Sequence, residues 1–268
     1  MTQIPFIKMH GLGNDFVVID SLNGTFRGEL TTQDAIKICD RRFGIGADQI
    51  LWLRRPQDST ADVRMEILNA DGSIAEMCGN GIRAVALYIN DQKKDSYRIE
   101  TLAGIKTVQV QGSQVTVDMG PPGLPGDAKT GEILKVHGRE VRFHEVSMGN
   151  PHAVIFLEEG SRLSVEEFGP AIEKHARFPK RTNVEFVRVS GPSSIDVQVW
   201  ERGAGVTLAC GTGACASAVA SLATGRVTGE VQVNLPGGSL WIAWNGANQS
   251  VRMKGPAVEV FRGVLDLA

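Results

Sequence analysis

Nowhere in these 268 residues do about 18 apolar side chains run together, the length that a membrane-spanning helix requires. The first residues carry no apolar stretch of the signal-peptide kind, so no membrane and a cytoplasmic location are expected. An excess of one charge is also missing. Twenty-eight Lys and Arg against thirty Asp and Glu leave a formal charge of −2, with no basic runs, which removes the footprint of a nucleic-acid binder. Aromatic residues reach only 6%, whereas 31 glycines indicate many tight turns between short strands rather than a helical bundle. Cysteine is scarce, with Cys39, Cys78, Cys210 and Cys215 alone. Disulfides are rare in the cytosol, and no C-x-x-C or C-x-x-H spacing marks a metal centre. There is no G-x-G-x-x-G, no P-loop and no glycine-rich phosphate cup with a lysine, so neither a nucleotide nor a pyridoxal cofactor is expected.

What is present is a phrase that occurs twice, Cys78-Gly79-Asn80-Gly81 and Cys210-Gly211-Thr212-Gly213. Each copy sets a cysteine at a glycine-bearing turn that leads into a helical pattern. Ile82, Val85, Ala86 and Ile89 follow helical spacing, and residues 214–223 are apolar almost all round, as in a helix buried on every side. A thiol beside a helix N-terminus meets N–H groups and the positive dipole end, which is expected to favour thiolate. A free cysteine otherwise packs as a small hydrophobe, and that reading serves Cys39 and Cys215. The repeated context of Cys78 and Cys210 points instead to a paired chemical role.

The repeat extends beyond the phrase. An offset of 132 residues lays Asn69 on Glu201, each ending an extended run (63–68 and 195–200) and each followed by a turn-rich link. An offset of 136 lays Gly13-Asn14-Asp15-Phe16-Val17-Val18 on Gly149-Asn150-Pro151-His152-Ala153-Val154, and one of 134 lays Gln49 on Asn183. Helical patterns over residues 32–42 and 165–177 fall between these landmarks. The chain therefore reads as α/β (α+β), with two pseudo-symmetric domains, each a curled, mostly antiparallel sheet or barrel around a central helix. The glycine- and proline-rich stretch 120–126 divides them. The halves are 1–121, carrying Cys78, and 122–256, carrying Cys210; the tail 257–268 is expected to pack back onto the first. The active site is expected in the cleft between the halves.

Paired thiols suit a particular task. A C–H bond beside a carboxylate is hard to break, because the carbanion gains little from an anionic neighbour; an electron-sink cofactor is the common remedy. Two helix N-termini, with N–H groups at Gly79, Asn80, Gly211 and Thr212, could grip that carboxylate and stabilise its developing charge. A thiolate on one face would take the proton while a thiol on the other donates one. Such a pair titrates as a coupled unit.

The segments His10–Phe16, Asn69-Ala70-Asp71-Gly72, Glu76-Met77-Cys78-Gly79-Asn80-Gly81-Ile82-Arg83, Gly149–His152, Thr182-Asn183 and Glu201-Arg202-Gly203 through Ala209–Gly213 resemble the diaminopimelate epimerase family, over most of the chain. The resemblance implies a cofactor- and metal-independent isomerase, usually a homodimer, that interconverts LL- and meso-diaminopimelate for lysine and peptidoglycan precursor synthesis. It implies that Cys78 and Cys210 are the acid–base pair, with His152 and Glu201 orienting the reacting end. Gly79, Asn80, Gly211 and Thr212 would bind around the reacting carboxylate. Asn14, Gln49, Asn69, Asn150, Asn183, Glu201 and Arg202 would hold the rest of the substrate. The residue chemistry agrees: Arg202 offers a planar fork to a distal carboxylate, Glu201 an anion to an ammonium, and the amides donate and accept. Val206 and Ala84 depart from the family's usual Glu and Cys, outside the proposed roles. A proline racemase type would not need Glu201 and Arg202 to grip a distant group, a phenazine-biosynthesis-like isomerase would not need paired thiols, and neither would an amino-acid binding protein.

Overall fold

The runs Phe16-Val17-Val18-Ile19 and Ile50-Leu51-Trp52-Leu53 have no polar face, so each strand they form must be covered on two sides. In the computed structural model, which describes residues 2–22, 26–90, 94–126 and 129–267, both runs are buried strands. The chain divides into one compact unit of residues 1–117 with 255–268 and a second of residues 118–254. Among the described residues no helix is long and apolar enough to cross a membrane.

In the first unit β1 (Thr2–Gly11) pairs antiparallel with β2 (Asn14–Asp20). Helix α1 (Thr32–Cys39) carries the chain across to β3 (Gln49–Arg54), which runs parallel to β2 with Phe16 opposite Gln49. β3 turns into antiparallel β4 (Val63–Asn69), which also pairs with the short β5 (Ile74–Ala75). After helix α2 (Gly79–Ile89), β6 (Ser96–Thr101) returns parallel to β4, and β7 (Gly104–Gln111) and β8 (Gln114–Asp118) follow as a meander. Ala35, Ile38 and Cys39 of α1 join Val17, Ile19, Ile50 and Trp52 in one core. On the opposite face of β3, Leu51 meets the start of α2 so closely that a Cβ at Gly81 would lie 2.9 Å from its Cδ2.

The second unit repeats this connectivity. β9 (Glu132–Val136) pairs with β10 (Arg139–Ser147), which pairs with β11 (Pro151–Phe156). Helix α3 (Val165–Glu173) leads to β12 (Asn183–Gly191), parallel to β11 with His152 opposite Asn183. β13 (Ser194–Glu201) pairs antiparallel with β12, and β14 (Gly205–Thr207) pairs with β13. Helix α4 (Gly211–Ala223) precedes β15 (Val231–Leu235), parallel to β13, and then β16 (Gly238–Ala243) and β17 (Arg252–Pro256). β18 (Val258–Leu267) pairs antiparallel with β1, as β9 does with β10, so the last strand completes the first unit's copy of the pattern. α4 packs on β10, β11, β12, β13, β15 and β16, the curled sheet wrapped around a buried helix that its all-apolar surface demands.

Some elements differ from the sequence reading. α1 stops at Cys39, short of residue 42, because the Asp40 carboxylate accepts from the N–H groups of Arg42 and Phe43, each at 2.7 Å. α3 stops at Glu173, and the next residues tighten into i→i+3 bonds such as His175 N–H to Ile172 O. The strands β5 and β14, of two and three residues, are too short to stand out in the sequence. α3 lies so close to β13 that a Cβ at Gly169 would sit 2.7 Å from Trp200 Cβ and Cγ. Gly169→Ala is expected to destabilise the protein by about 1–3 kcal/mol, read as a lower urea midpoint, because the half-buried Trp200 must shift.

Candidate active site

Each repeated phrase puts its cysteine at the N-cap of the central helix of its unit. Cys78 has φ −134° and ψ 114°, Cys210 φ −116° and ψ 114°, an extended cap conformation in both. The Cys78 sulfur accepts from the Gly81 N–H at 3.3 Å and the Cys210 sulfur from the Gly213 N–H at 3.4 Å. The thiols thus occupy the place of a capping hydroxyl, beside the positive end of the helix dipole.

In the first unit, Asn14 at the head of β2 directs Nδ2 at the Cys78 sulfur, 3.8 Å away. Asn14 is held by its neighbour Asp15, whose carboxylate takes the Arg41 fork at 2.7 and 3.1 Å and Lys8 at 2.5 Å. Burial alone would raise the Asp15 carboxyl, but Arg41 and Lys8 outweigh it and hold it well below the usual range. Backbone N–H groups of Asp15 and Asp48 exchange bonds with each other's carboxylates at 3.1 Å, tying Asn14 to the start of β3. There Gln49 donates to Asn69 Oδ1 at 2.8 Å, across the paired strands β3 and β4, and Gln49 Oε1 is buried without a partner. Asn80 is buried, with Oδ1 accepting from Arg83 at 3.0 Å; the same guanidinium reaches Gly79 O and Pro256 O and fixes the first turn of α2.

In the second unit the polar groups form a chain. Glu185 on β12 meets His152 Nδ1 at 2.7 Å, and His152 Nε2 meets Asn150 Oδ1 at 3.0 Å. Asn150 Nδ2 donates to Thr212 Oγ1 at 3.3 Å, and that hydroxyl lies 3.5 Å from the Cys210 sulfur. Asn183 donates to Pro151 O and accepts from the Arg202 N–H at 2.9 Å, so it orders the turn that follows β13. Buried Glu173 holds the same turn through Trp200 Nε1 at 2.8 Å and the Gly203 N–H at 3.0 Å. Glu201 accepts from Thr207 at 2.6 Å, while the exposed guanidinium of Arg202 reaches Lys180 O at 3.3 Å. Gly211 and Thr212 form the first turn of α4.

Of the residues the sequence singled out, Asn14 joins Cys78, Gln49 joins Asn69, and His152, Asn150 and Thr212 join Cys210. Glu185 was not among them. Its signal was a lone carboxylate inside the apolar run Val184-Glu185-Phe186-Val187. Among the described residues, no group of three or more His, Cys, Asp or Glu is placed to hold a metal.

The helix terminus does not decide the charge of Cys210. Burial, then the carboxylates of Glu201 and Glu185, push this thiol well above the ordinary 9.0, against the smaller opposite pull of Thr212 and the Gly213 N–H. At Cys210 the pull of the helix terminus toward thiolate does not prevail, because desolvation of a sealed sulfur outweighs one dipole end. Burial likewise pushes Glu185 up, with His152 pulling it down. With the Cys210 pKa raised, its thiolate fraction stays small through neutral pH and grows only above pH 9. Iodoacetamide labelling of the unliganded protein, mapped by peptide mass, should therefore modify Cys210 slowly at pH 7 and much faster at pH 10.

With this geometry in place, the likeness to known proteins is direct. The sequence profile described as diaminopimelate epimerase matches residues 6–125 and 145–260. The chain is 51% identical to the diaminopimelate epimerase of Desulfitobacterium hafniense, over 97% of each chain. It is 49% identical to that of Carboxydothermus hydrogenoformans, over 96% of this chain and 98% of the other. Among solved structures, a Bacillus anthracis phenazine biosynthesis protein of the PhzF family superposes with a TM-score of 0.71 at 15% identity, covering all of both chains. A hydroxyproline epimerase from Agrobacterium vitis gives 0.69 at 17% identity, over 99% of this chain and 91% of the other. At those identities the two structures share the fold.

Proposed function

This chain belongs to the diaminopimelate epimerase family, and we propose that Cys78 and Cys210 carry out the family's reaction as its acid–base pair. The reaction inverts one α-carbon of LL-diaminopimelate to give the meso isomer, without a cofactor, on the route to lysine. One sulfur, as thiolate, takes the α-proton as the C–H bond breaks, and the freed electron pair spreads into the adjacent carboxylate. The other sulfur, as thiol, delivers its proton to the opposite face of the same carbon. The two thiols end with their protonation states exchanged, and proton exchange with solvent restores the starting form for the next turnover. The observation that carries this reading is the duplicated N-cap cysteine, each with its helix amide on sulfur, with Asn14 directed at Cys78 and Asn150 linked to Cys210 through Thr212.

The remaining polar groups suit the rest of the substrate. First-turn N–H groups at Gly79, Asn80, Gly211 and Thr212 would receive the carboxylate as negative charge builds on it. Gln49, with a buried oxygen unsatisfied, together with Asn69 and Asn183, would accept and donate around ammonium and carboxylate groups. Glu201 would counter an ammonium and Arg202 a distal carboxylate. His152 orients Asn150 and thereby the Cys210 end of the site. A reducing cytoplasm fits a mechanism that needs both thiols free. A second copy of the chain is the proposed partner: β18 leaves Val258, Val260, Phe261 and Val264 exposed, an apolar stripe that a homodimer would cover. Val264→Asp should then shift the protein from dimer to monomer in sedimentation velocity.

Incubation with LL-diaminopimelate in deuterated water tests the chemistry, with α-carbon exchange followed by mass spectrometry. Cys78→Ser and Cys210→Ser are each expected to lower turnover by about 10²–10⁴-fold, the usual contribution of a positioned acid or base. Normal turnover in both variants, or faster turnover of proline isomers than of diaminopimelate, would overturn the assignment.

A further inference from the structure

The two units are copies, yet at equivalent places one holds a fully buried ionisable His–Glu pair and the other holds apolar side chains. On β11 and β12, His152 stands opposite Asn183, and Glu185 lies two residues further along β12. At the same places on β2 and β3, Phe16 stands opposite Gln49 and Leu51 lies two residues on. Each residue in the second position touches the third residue of its central helix. A Cβ at Gly213 would lie 2.8 Å from Glu185 Oε1, as one at Gly81 would lie 2.9 Å from Leu51. The duplication therefore holds a greasy pair under Cys78 and an ionisable pair under Cys210. His152 and Glu185 are both fully buried, their contact is 2.7 Å, and Glu185 Oε2 has no partner at all.

The pair settles the direction of every hydrogen bond above it. Both ring nitrogens of His152 face oxygen acceptors, Glu185 Oε1 and Asn150 Oδ1. A carboxylate sealed from water needs a compensating proton, either on the imidazole or shared with it. In both arrangements Nε2 carries hydrogen and donates to Asn150 Oδ1. The Asn150 amide is thereby turned so that its NH₂ donates to Thr212 Oγ1, which leaves the hydroxyl hydrogen for the Cys210 sulfur. We propose that Glu185 is a positioning residue that, through His152, Asn150 and Thr212, aims a hydroxyl donor at Cys210 and so supports its thiolate. The groups facing that sulfur are then Glu201 from β13, Glu185 from β12, the His152 relay from β11, and Thr212 and the Gly213 N–H from α4 itself. Cys78 needs no such relay, because Asn14 Nδ2 reaches its sulfur directly.

Glu185→Gln tests the relay, since it keeps the shape and removes the charge. A neutral His152 would then donate from Nδ1 to the Gln oxygen and leave Nε2 bare. Asn150 would turn its NH₂ toward Nε2, and Thr212 would donate to Asn150 instead of to sulfur. Two simple expectations point in opposite directions here. Loss of a nearby negative charge alone would make Cys210 easier to ionise, whereas loss of the hydroxyl donor makes it harder. The relay predicts iodoacetamide labelling of Cys210 at pH 8.5 about tenfold slower in Glu185→Gln than in the parent, with Cys78 labelling unchanged. Unchanged or faster labelling of Cys210 would overturn it. Nitrogen-15 NMR of the imidazole supplies a second readout, on the parent protein, that survives any failure of the variant to fold. His152 Nε2 should show a protonated nitrogen from pH 6 to 9, and an unprotonated Nε2 there would sink the proposal. The catalytic importance of the relay rests on Cys210 acting as an acid–base group. Normal turnover of Cys210→Ser would remove that importance, while labelling and NMR would still decide the relay on their own.

Discussion

A sulfur that caps a helix is the contact around which each unit is arranged. The bond from the third helical N–H to Cys78 or Cys210 fixes the thiol at the start of α2 or α4. That same bond requires glycine at the third position, because Leu51 in one unit and Glu185 in the other press against it. The helix behind each cap is then committed to burial, which is why α4 is built mostly of small residues, chiefly Ala, Gly and Ser, and why strands wrap it on several sides. Core, cap and chemistry are one constraint: a thiol can sit at a helix terminus inside the protein only if the helix itself is the core.

Burial gives this arrangement both its use and its cost. At Cys210 the exclusion of water disfavours the thiolate, and Glu201 and Glu185 reinforce that. The chain from His152 to Thr212 works against that penalty. The two cysteines therefore differ in their surroundings: Cys78 is half-buried with an asparagine amide directed at it, and Cys210 is sealed beneath a polar relay. Two thiols in the proposed acid–base roles, holding opposite protonation states in turn, have no need of equal environments. Supports of different kinds let each be tuned apart from the other.

Supporting residues away from the thiols do comparable work through the backbone. Asp15, gripped by Lys8 and Arg41, fixes where Asn14 opens β2. Glu173, through Trp200 and Gly203, fixes the turn that carries Glu201 and Arg202. In both cases a carboxylate held in its charged form by several donors locks a loop that would otherwise be free to move.

The repeated phrase, the asparagines at the head of matching runs and the helical pattern behind each cysteine were all legible in the sequence, because capping and periodicity act within a few residues along the chain. The same locality made the shared α/β design readable from offsets of 132 to 136 residues. Helix ends were less legible, since a carboxylate at Asp40 closes α1 through a turn that periodicity does not record. Glu185 and the sealed state of Cys210 were decided by tertiary structure alone. His152 and Glu185 lie 33 residues apart, and only the parallel register of β11 on β12 brings them together. The energy of a proton depends on what surrounds it in space, and the order of residues along a chain does not state that.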